Sequence, residues 1–214
     1  HGSASGIGAT ANWVAVNTGV RALMGWSVAS AGDVNGDRYA DVIVGAPEYP
    51  NGDELNAGNA FVWHGSSSGV NGDVDGNPDN AAWDFLYFNA GNKFGWSVSS
   101  AGDINGDSYS DVIVGSPNIS ILDDEQLGQA SIFLGSSTGL LGDIRGGDRG
   151  DEPYDHLGYS VALAGDVNGD GYGDMIVGAP DAENLISEEG WAVIWYGHAS
   201  WINENTDWFA WGGD

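Results

Sequence analysis

The chain has 214 residues, of which 42% are hydrophobic, so it can build a core as one large domain or two small ones. Thirty-one acidic residues against five basic ones give a formal net charge of −26, which argues against nucleic acid and anionic membranes as partners. It lacks the run of about 18 apolar residues that membrane insertion needs, and ten Trp, eight Tyr and six Phe favour burial over disorder.

The first predicted element is the stretch ANWVAV, residues 11–16, in which large side chains alternate with smaller ones. This period of two predicts a β-strand inside an N-terminal segment of residues 1–24. The stretch resembles the fourth strand of a later unit but has no sheet of its own. We therefore expect its unpaired edge to add to a sheet in another subunit or an adjacent repeat.

The rest of the chain contains one unit written three times. The stretch GWSVASAGDVNGDRYADVIVGAP begins at Gly25. Close copies begin at Gly95, 70 residues after Gly25, and at Gly158, 63 residues after Gly95. A second motif, GNAFVWHG in its first copy, follows each of them. Periods in this range predict a repeat architecture. The predicted units are residues 25–94, 95–157 and 158–214.

Each unit contains short stretches with the character of β-strands, separated by Gly and Asx-rich turns. In the first unit they read WSVASA, DVIVGA, NAFVWHG and AAWDFLYF, and no stretch has convincing helical spacing. In the middle unit the counterpart of the fourth strand is degenerate. Four antiparallel strands per unit predict an all-β fold of three propeller-type blades. Three blades form an incomplete ring, because closed propellers have about four to eight.

The loop between the first two strands of each unit carries an acidic pattern. In DVNGDRYAD, positions 1, 3, 5 and 9 offer side-chain oxygens, and the backbone carbonyl of position 7 is well placed beside them. Calcium takes about six to eight oxygen ligands, whereas zinc prefers His or Cys, so we expect three Ca²⁺ per chain. The predicted ligands are Asp33, Asn35, Asp37, Tyr39 and Asp41; Asp103, Asn105, Asp107, Tyr109 and Asp111; and Asp166, Asn168, Asp170, Tyr172 and Asp174.

Two other interpretations of these loops agree less well with the sequence. An EF-hand loop has its last ligand at position 12, which is Val44, Val114 or Val177 here, inside a predicted strand. Alternatively, the Asp and Asn side chains only stabilise Asx turns. Threefold repetition of the same ligand positions favours metal binding. A glycine is expected where the turn is tightest, at position 4. These glycines are Gly36, Gly106 and Gly169.

The chain resembles the FG-GAP repeat family, which forms the blades of integrin α-subunit β-propellers. Phe94-Gly95 followed by Gly115-Ser116-Pro117 gives the nearest match to the family name, and the resemblance extends from about Gly25 to Trp211. It implies calcium loops of the type D-x-[DN]-x-D-x-x-x-D and an extracellular or cell-surface role in binding or adhesion. Integrin propellers have more blades, so this resemblance implies a longer chain, several chains that combine their blades, or a fibre.

Other motifs are weaker indications. Most Trp residues recur at fixed positions of the unit and are predicted to pack in the core, whereas Trp201 is a candidate for carbohydrate stacking. Arg149-Gly150-Asp151 spells a tripeptide that some integrins bind, but a loop rich in Gly and Asp produces such triplets by chance. Asn118-Ile119-Ser120 is an N-glycosylation sequon if the host exports and modifies the protein.

No catalytic pattern is recognisable, since the four His residues share no spacing and no zinc-protease motif or phosphate loop occurs. We therefore expect a non-catalytic extracellular calcium-binding propeller that acts in adhesion, surface assembly or fibre formation. Its expected partners are other copies of itself, adjacent blades of a longer chain, or protein or glycan ligands. The alternatives are a lectin-like carbohydrate-binding propeller and an accessory domain of a secreted hydrolase.

Overall fold

The computed structural model describes residues 10–18, 21–87, 89–120, 126–144, 146–150, 152–182, 190–199 and 208–211. Within these ranges the chain forms twelve β-strands and no α-helix. Two short 3₁₀ turns, Val70–Asp73 and Pro78–Asn80, lie between the third and fourth strands. None of the described segments is a helix of the length and apolar character that crossing a membrane requires.

The strands form three antiparallel sheets of four, each in sequence order, which confirms the predicted all-β fold of four-stranded blades. The first blade contains β1 (Ser27–Gly32), β2 (Asp41–Ala46), β3 (Asn59–Trp63) and β4 (Trp83–Leu86). The second contains β5 (Ser97–Gly102), β6 (Asp111–Ser116), β7 (Gln129–Phe133) and β8 (Gly146–Arg149). The third contains β9 (Ser160–Gly165), β10 (Asp174–Ala179), β11 (Trp191–Trp195) and β12 (Trp208–Trp211).

The fourth strand of the second blade forms although its sequence is degenerate. Its residues read GGDR, and Gly146 lies opposite Ile132 just as Trp83 lies opposite Val62 in the first blade. The hydrogen bonds of an antiparallel ladder join backbone groups, so an outermost strand can form without apolar side chains. A pattern of apolar residues therefore does not reveal this strand.

Apolar clusters fill the space between neighbouring blades. The first cluster packs Val34, Ile43 and Val62 of the first blade against Val112 and Phe133 of the second. A second cluster joins the second and third blades in the same way. The innermost strands β1, β5 and β9 lie side by side. Much of the buried core thus belongs to the junctions between blades, as expected when each repeat contacts only its neighbours.

The N-terminal segment differs from its prediction as a strand with an unpaired edge. Among its described residues only Ala15 makes a β-bridge, a parallel one with Gly76 in the connection between β3 and β4. The Trp13 ring meets Trp63 edge to face with 5.4 Å between ring centroids, and its Nε1–H donates to the Val74 carbonyl at 2.8 Å. The segment therefore packs on the first blade of its own chain, because the indole gains an apolar contact and a hydrogen bond there.

Candidate metal-binding loops

The three loops that join the first two strands of a blade make the same turn. The glycine at position 4 has a φ of 75° in the first loop and 77° in the other two, the left-handed conformation that glycine adopts most readily. Position 6 is left-handed as well, with φ of 73° at Arg38, 75° at Ser108 and 94° at Gly171. Only the third copy has glycine at position 6, so the first two loops carry no sequence sign of this conformation.

Side chains at positions 1, 3 and 5 converge on the turn. In the first loop the N–H of Asp37 donates to Asp33 Oδ1 and Asn35 Oδ1, each at 3.0 Å. Asp33 Oδ2 accepts from the N–H of Arg38 at 2.7 Å, and Asp37 Oδ1 accepts from that of Tyr39 at 2.9 Å. The other loops repeat these bonds. The corresponding side chains are Asp103, Asn105, Asp107, Asp166, Asn168 and Asp170.

The aspartate at position 9 is fully buried in every loop, at Asp41, Asp111 and Asp174. Asp41 accepts one backbone N–H on each oxygen, from Val34 at 2.9 Å and from Gly65 at 2.7 Å. The other two aspartates accept the matching pairs. Position 9 therefore ties the loop to the glycine that follows the third strand. Sequence reasoning missed this role, although that glycine recurs in all three copies.

Burial makes the ionised form of two of these aspartates, Asp111 and Asp41, less favourable. Desolvation raises the pKa of Asp111 to about 7, against the lowering effect of its two backbone hydrogen bonds. Repulsion from Asp107 and Asp103 raises this pKa further. Burial also raises the pKa of Asp41, and repulsion from Asp37 adds to that effect.

The tyrosines at position 7 connect neighbouring loops through their rings. A Cβ added to Gly36 would lie 2.7 Å from Cε1 of Tyr109, and one added to Gly106 would lie 2.6 Å from Cε1 of Tyr172. Each ring thus lies against the glycine turn of the preceding blade. Tyr39 belongs to the first loop and is 42% exposed. The sequence indicated only the carbonyls of these tyrosines as ligands, not this use of their side chains.

The donor set fits a hard cation in its chemistry, because every predicted side-chain ligand is a carboxylate or amide oxygen. In the described part of the chain, however, no group of three or more acidic or histidine side chains is arranged to hold a metal ion. Oxygens at positions 1, 3 and 5 accept N–H bonds of the turn, as the Asx-turn interpretation also requires. A carboxylate oxygen has two lone pairs, so such a bond is compatible with a cation ligand.

Three of the tryptophans at repeated positions pack in the core as predicted, whereas Trp26 does not. Trp63, Trp83 and Trp195 are buried in the blades. Trp26 contacts Trp96 across the first junction with 4.6 Å between ring centroids, although half of Trp26 is exposed. The three buried rings therefore have a packing role, and Trp26 packs on Trp96 at the surface.

Two other predicted features lie outside the described residues, namely Trp201 and Asp151 of the Arg-Gly-Asp triplet. Asn118 of the sequon is half-buried, and its Nδ2 donates to Gln126 Oε1 at 3.2 Å. A glycan on Asn118 would remove one of the two Nδ2 hydrogens, so this bond is compatible with modification. Glycosylation there stays a prediction.

The chain is similar to much longer proteins. Integrin alpha-3 of Cricetulus griseus is 33% identical over 166 residues, which are 76% of this chain and 14% of that protein. Integrin alpha-PS5 of Drosophila melanogaster is 32% identical over 182 residues, 79% of this chain and 16% of that protein. Phosphatidylinositol-glycan-specific phospholipase D of Bos taurus is 29% identical over 180 residues, which are 83% of this chain and 21% of that protein. The chain therefore spans no more than 21% of the length of any of these three relatives.

The family model for the FG-GAP repeat matches the chain three times, once in each blade. The matched ranges are residues 24–63, 94–133 and 157–184. Each range includes the first two strands of a blade and the acidic loop between them, and together they cover half of the sequence. The chain belongs to the FG-GAP repeat family.

Proposed function

We propose that the chain is a non-catalytic calcium-binding blade module that acts at the cell surface or outside the cell, in adhesion or surface assembly. The observation that carries the proposal is the buried aspartate at position 9, whose pKa is raised in the first two loops by burial and by nearby carboxylates. With 31 acidic and five basic side chains, the protein has few cations of its own to compensate this charge. A divalent cation from solvent would do so.

Calcium would be held by the side chains at positions 1, 3, 5 and 9 and by the carbonyl at position 7 of each loop. Bound calcium supplies two positive charges per loop, and three ions would change the formal charge from −26 to −20. The surrounding residues fix the turn, since the left-handed glycine and the backbone N–H bonds orient the oxygens. Magnesium is a poorer candidate, because it demands a tighter octahedral geometry and keeps more water.

An extracellular setting supports this metal. Extracellular calcium modules work with Kd values of about 10⁻⁴–10⁻³ M, an affinity that a surface loop can supply. The similarity to two integrin alpha chains supports a role in adhesion. We further propose that partners of the module are protein or glycan ligands and neighbouring blades.

Metal analysis after equilibrium dialysis tests the calcium proposal. We expect three Ca²⁺ per chain, and two in each of the variants Asp37→Ala, Asp107→Ala and Asp170→Ala, because each substitution removes one ligand from a single loop. Asp53→Ala is the matched control, since Asp53 is exposed and lies outside the loops. At ten times Kd each independent site adds about 1.4 kcal/mol to stability, so EDTA should lower the Tm. If EDTA changes neither the metal content nor the Tm, the loops are only turns.

The similarity to phosphatidylinositol-glycan-specific phospholipase D favours a second candidate, an accessory domain of a secreted hydrolase. Such a domain would bring an enzyme to its substrate. Flotation with vesicles that do or do not carry a phosphatidylinositol glycan separates this role from adhesion, which predicts no preference between the two kinds of vesicle.

A glycan array tests the lectin-like alternative in the same calcium buffer, and selective retention of one glycan class would support it.

A further inference from the structure

The loops of neighbouring blades are joined by a bond that repeats along the chain. At the first junction the N–H of Ser110 donates to the carbonyl of Asp33 at 2.9 Å. At the second junction the N–H of Gly173 donates to the carbonyl of Asp103, also at 2.9 Å. Because glycine makes this bond without a side chain, any residue with a backbone N–H can occupy the donor position.

A second bond repeats at the start of the first two blades. Ser27 Oγ donates to the carbonyl of Gly95 at 2.8 Å, and Ser97 Oγ donates to that of Gly158 at 2.8 Å. Together with the tyrosine ring that lies on the glycine turn, these bonds define one junction that occurs twice. Each junction needs a trailing face, which points to the next blade, and a leading face, which points to the previous one.

The described residues leave the trailing face of the third blade uncovered. Val167 is 51% exposed, whereas its equivalents Val34 and Ile104 are 0% and 2% exposed beneath the next blade. Leu163 on β9 is 42% exposed. No described atom lies within 4 Å of a Cβ added to Gly169, although the equivalent glycines each carry a tyrosine ring.

The leading face of the first blade exposes the other half of such a junction. Tyr39, Trp26 and Val28 are 42%, 51% and 68% exposed, whereas Val98, the equivalent of Val28 in the second blade, is 7% exposed. Ala40 follows Tyr39 as Ser110 and Gly173 follow the other two tyrosines. The inner half of the face thus carries the groups that form a junction.

We propose that the trailing face of the third blade binds the leading face of the first blade of a second copy of this chain. The ring of Tyr39 would lie on Gly169, and the N–H of Ala40 would donate to the carbonyl of Asp166. The inner half of this junction repeats the two that the chain already forms. On the outer half, Trp13 of the N-terminal segment already packs on Trp63, so the incoming blade has to displace that segment. The junction does not depend on bound calcium.

Two copies joined in this way would close on themselves. Each copy contributes three blades, so a closed pair has six, within the range of about four to eight that closed propellers use. Three copies would exceed that range. A head-to-tail contact that closes gives a finite ring rather than a filament, so the expected particle has twice the 22.2 kDa mass of one chain.

Sedimentation equilibrium at physiological salt, with and without calcium, tests the proposal. Tyr39→Ala removes the ring that would lie on Gly169. Gly169→Asn places a side chain where that ring would lie, and Asn tolerates the left-handed conformation of this position. The matched controls are Tyr154→Ala, at a tyrosine that is 52% exposed, and Gly171→Asn, at a left-handed glycine of the same loop with φ of 94°. Circular dichroism checks that every variant is folded.

We expect the unaltered chain and both controls to form dimers, and each test variant alone to need at least about tenfold more protein. An equimolar mixture of Tyr39→Ala and Gly169→Asn should recover dimers, because one of its two junctions has both faces intact. The proposal is overturned if the chain stays a monomer up to about 1 mM. It is also overturned if the mixture associates no better than its components.

Discussion

Two backbone N–H groups depend on the carboxylate of Asp111, one on each oxygen, at the point where the second loop meets the end of β7. Replacement by Ala would leave both buried N–H groups without an acceptor, at about 1–3 kcal/mol each. Replacement by Asn removes the charge and keeps one acceptor oxygen, so only one of the two N–H groups loses its acceptor. The Asn variant therefore removes the titrating group while it disturbs the anchor less than Ala does.

Stability of the metal-free protein should fall as pH rises from about 4 to about 7. Asp111 has a pKa of about 7 when folded, against 3.8 for an ordinary Asp, so the folded chain binds more protons across this window. We expect the urea midpoint in EDTA to be higher at pH 5 than at pH 8, and the difference to shrink in Asp111→Asn. Some difference should remain, since burial also raises the pKa of Asp41.

The exposed Asp53 serves as the control through Asp53→Asn, which should keep the full pH dependence. An equal pH dependence in the unaltered protein and in Asp111→Asn would contradict the assignment. Calcium should suppress the effect, because a bound cation favours the ionised carboxylates.

At the scale of residues, a contact can be predicted from the sequence when both partners lie close together in the chain. The convergence of Asp33, Asn35 and Asp37 is legible in the sequence because their bonds stay within one turn. The contact of Tyr109 with Gly36 is not, because it spans two blades and depends on how they pack. The pairing of Asp111 with the glycine after β7 is hidden for the same reason.

Among the elements, the N-terminal segment contacts the first blade through the ring of Trp13 in its described part. We expect Trp13→Ala to cost about 1–3 kcal/mol, below the range for a fully buried Trp. Hydrogen exchange should then lose protection at Gly76, whose N–H donates to the carbonyl of Val14 at 2.8 Å. Amides of β2 and β3 should keep theirs.

The neighbouring substitution Val14→Ala is the control, because this side chain is 44% exposed. Unchanged exchange at Gly76 in Trp13→Ala would show that the segment is held by its backbone bonds and not by the indole.

The N-terminal segment also shows a limit of prediction from sequence patterns. Alternation of residues 11–16 predicts a strand, but whether a partner strand lies beside it is decided by tertiary packing. The converse holds for β8, which pairs without an apolar pattern.

For the whole molecule, self-repulsion is the largest unfavourable electrostatic feature, with a formal charge of −26. In EDTA we expect the Tm to rise between 0.01 M and 0.15 M NaCl, as the Debye length falls from about 30 Å to about 8 Å. In saturating calcium the rise should be smaller, because the three proposed ions would reduce the formal charge to −20. A Tm that does not respond to salt in EDTA would show that the carboxylates are too far apart to destabilise the fold.

The indole of Trp13 also has a consequence for the speed of assembly. Trp13 lies on the first blade as Trp83 lies on the second, where the Trp83 ring meets Phe133 with 4.9 Å between centroids and its Nε1–H donates to the Leu141 carbonyl at 3.2 Å. The N-terminal segment thus occupies the place of an outer strand on that leading face. An incoming blade with its own fourth strand must wait until the segment detaches. Association would then reach a maximum rate that no increase in protein concentration can exceed, equal to the rate of this opening.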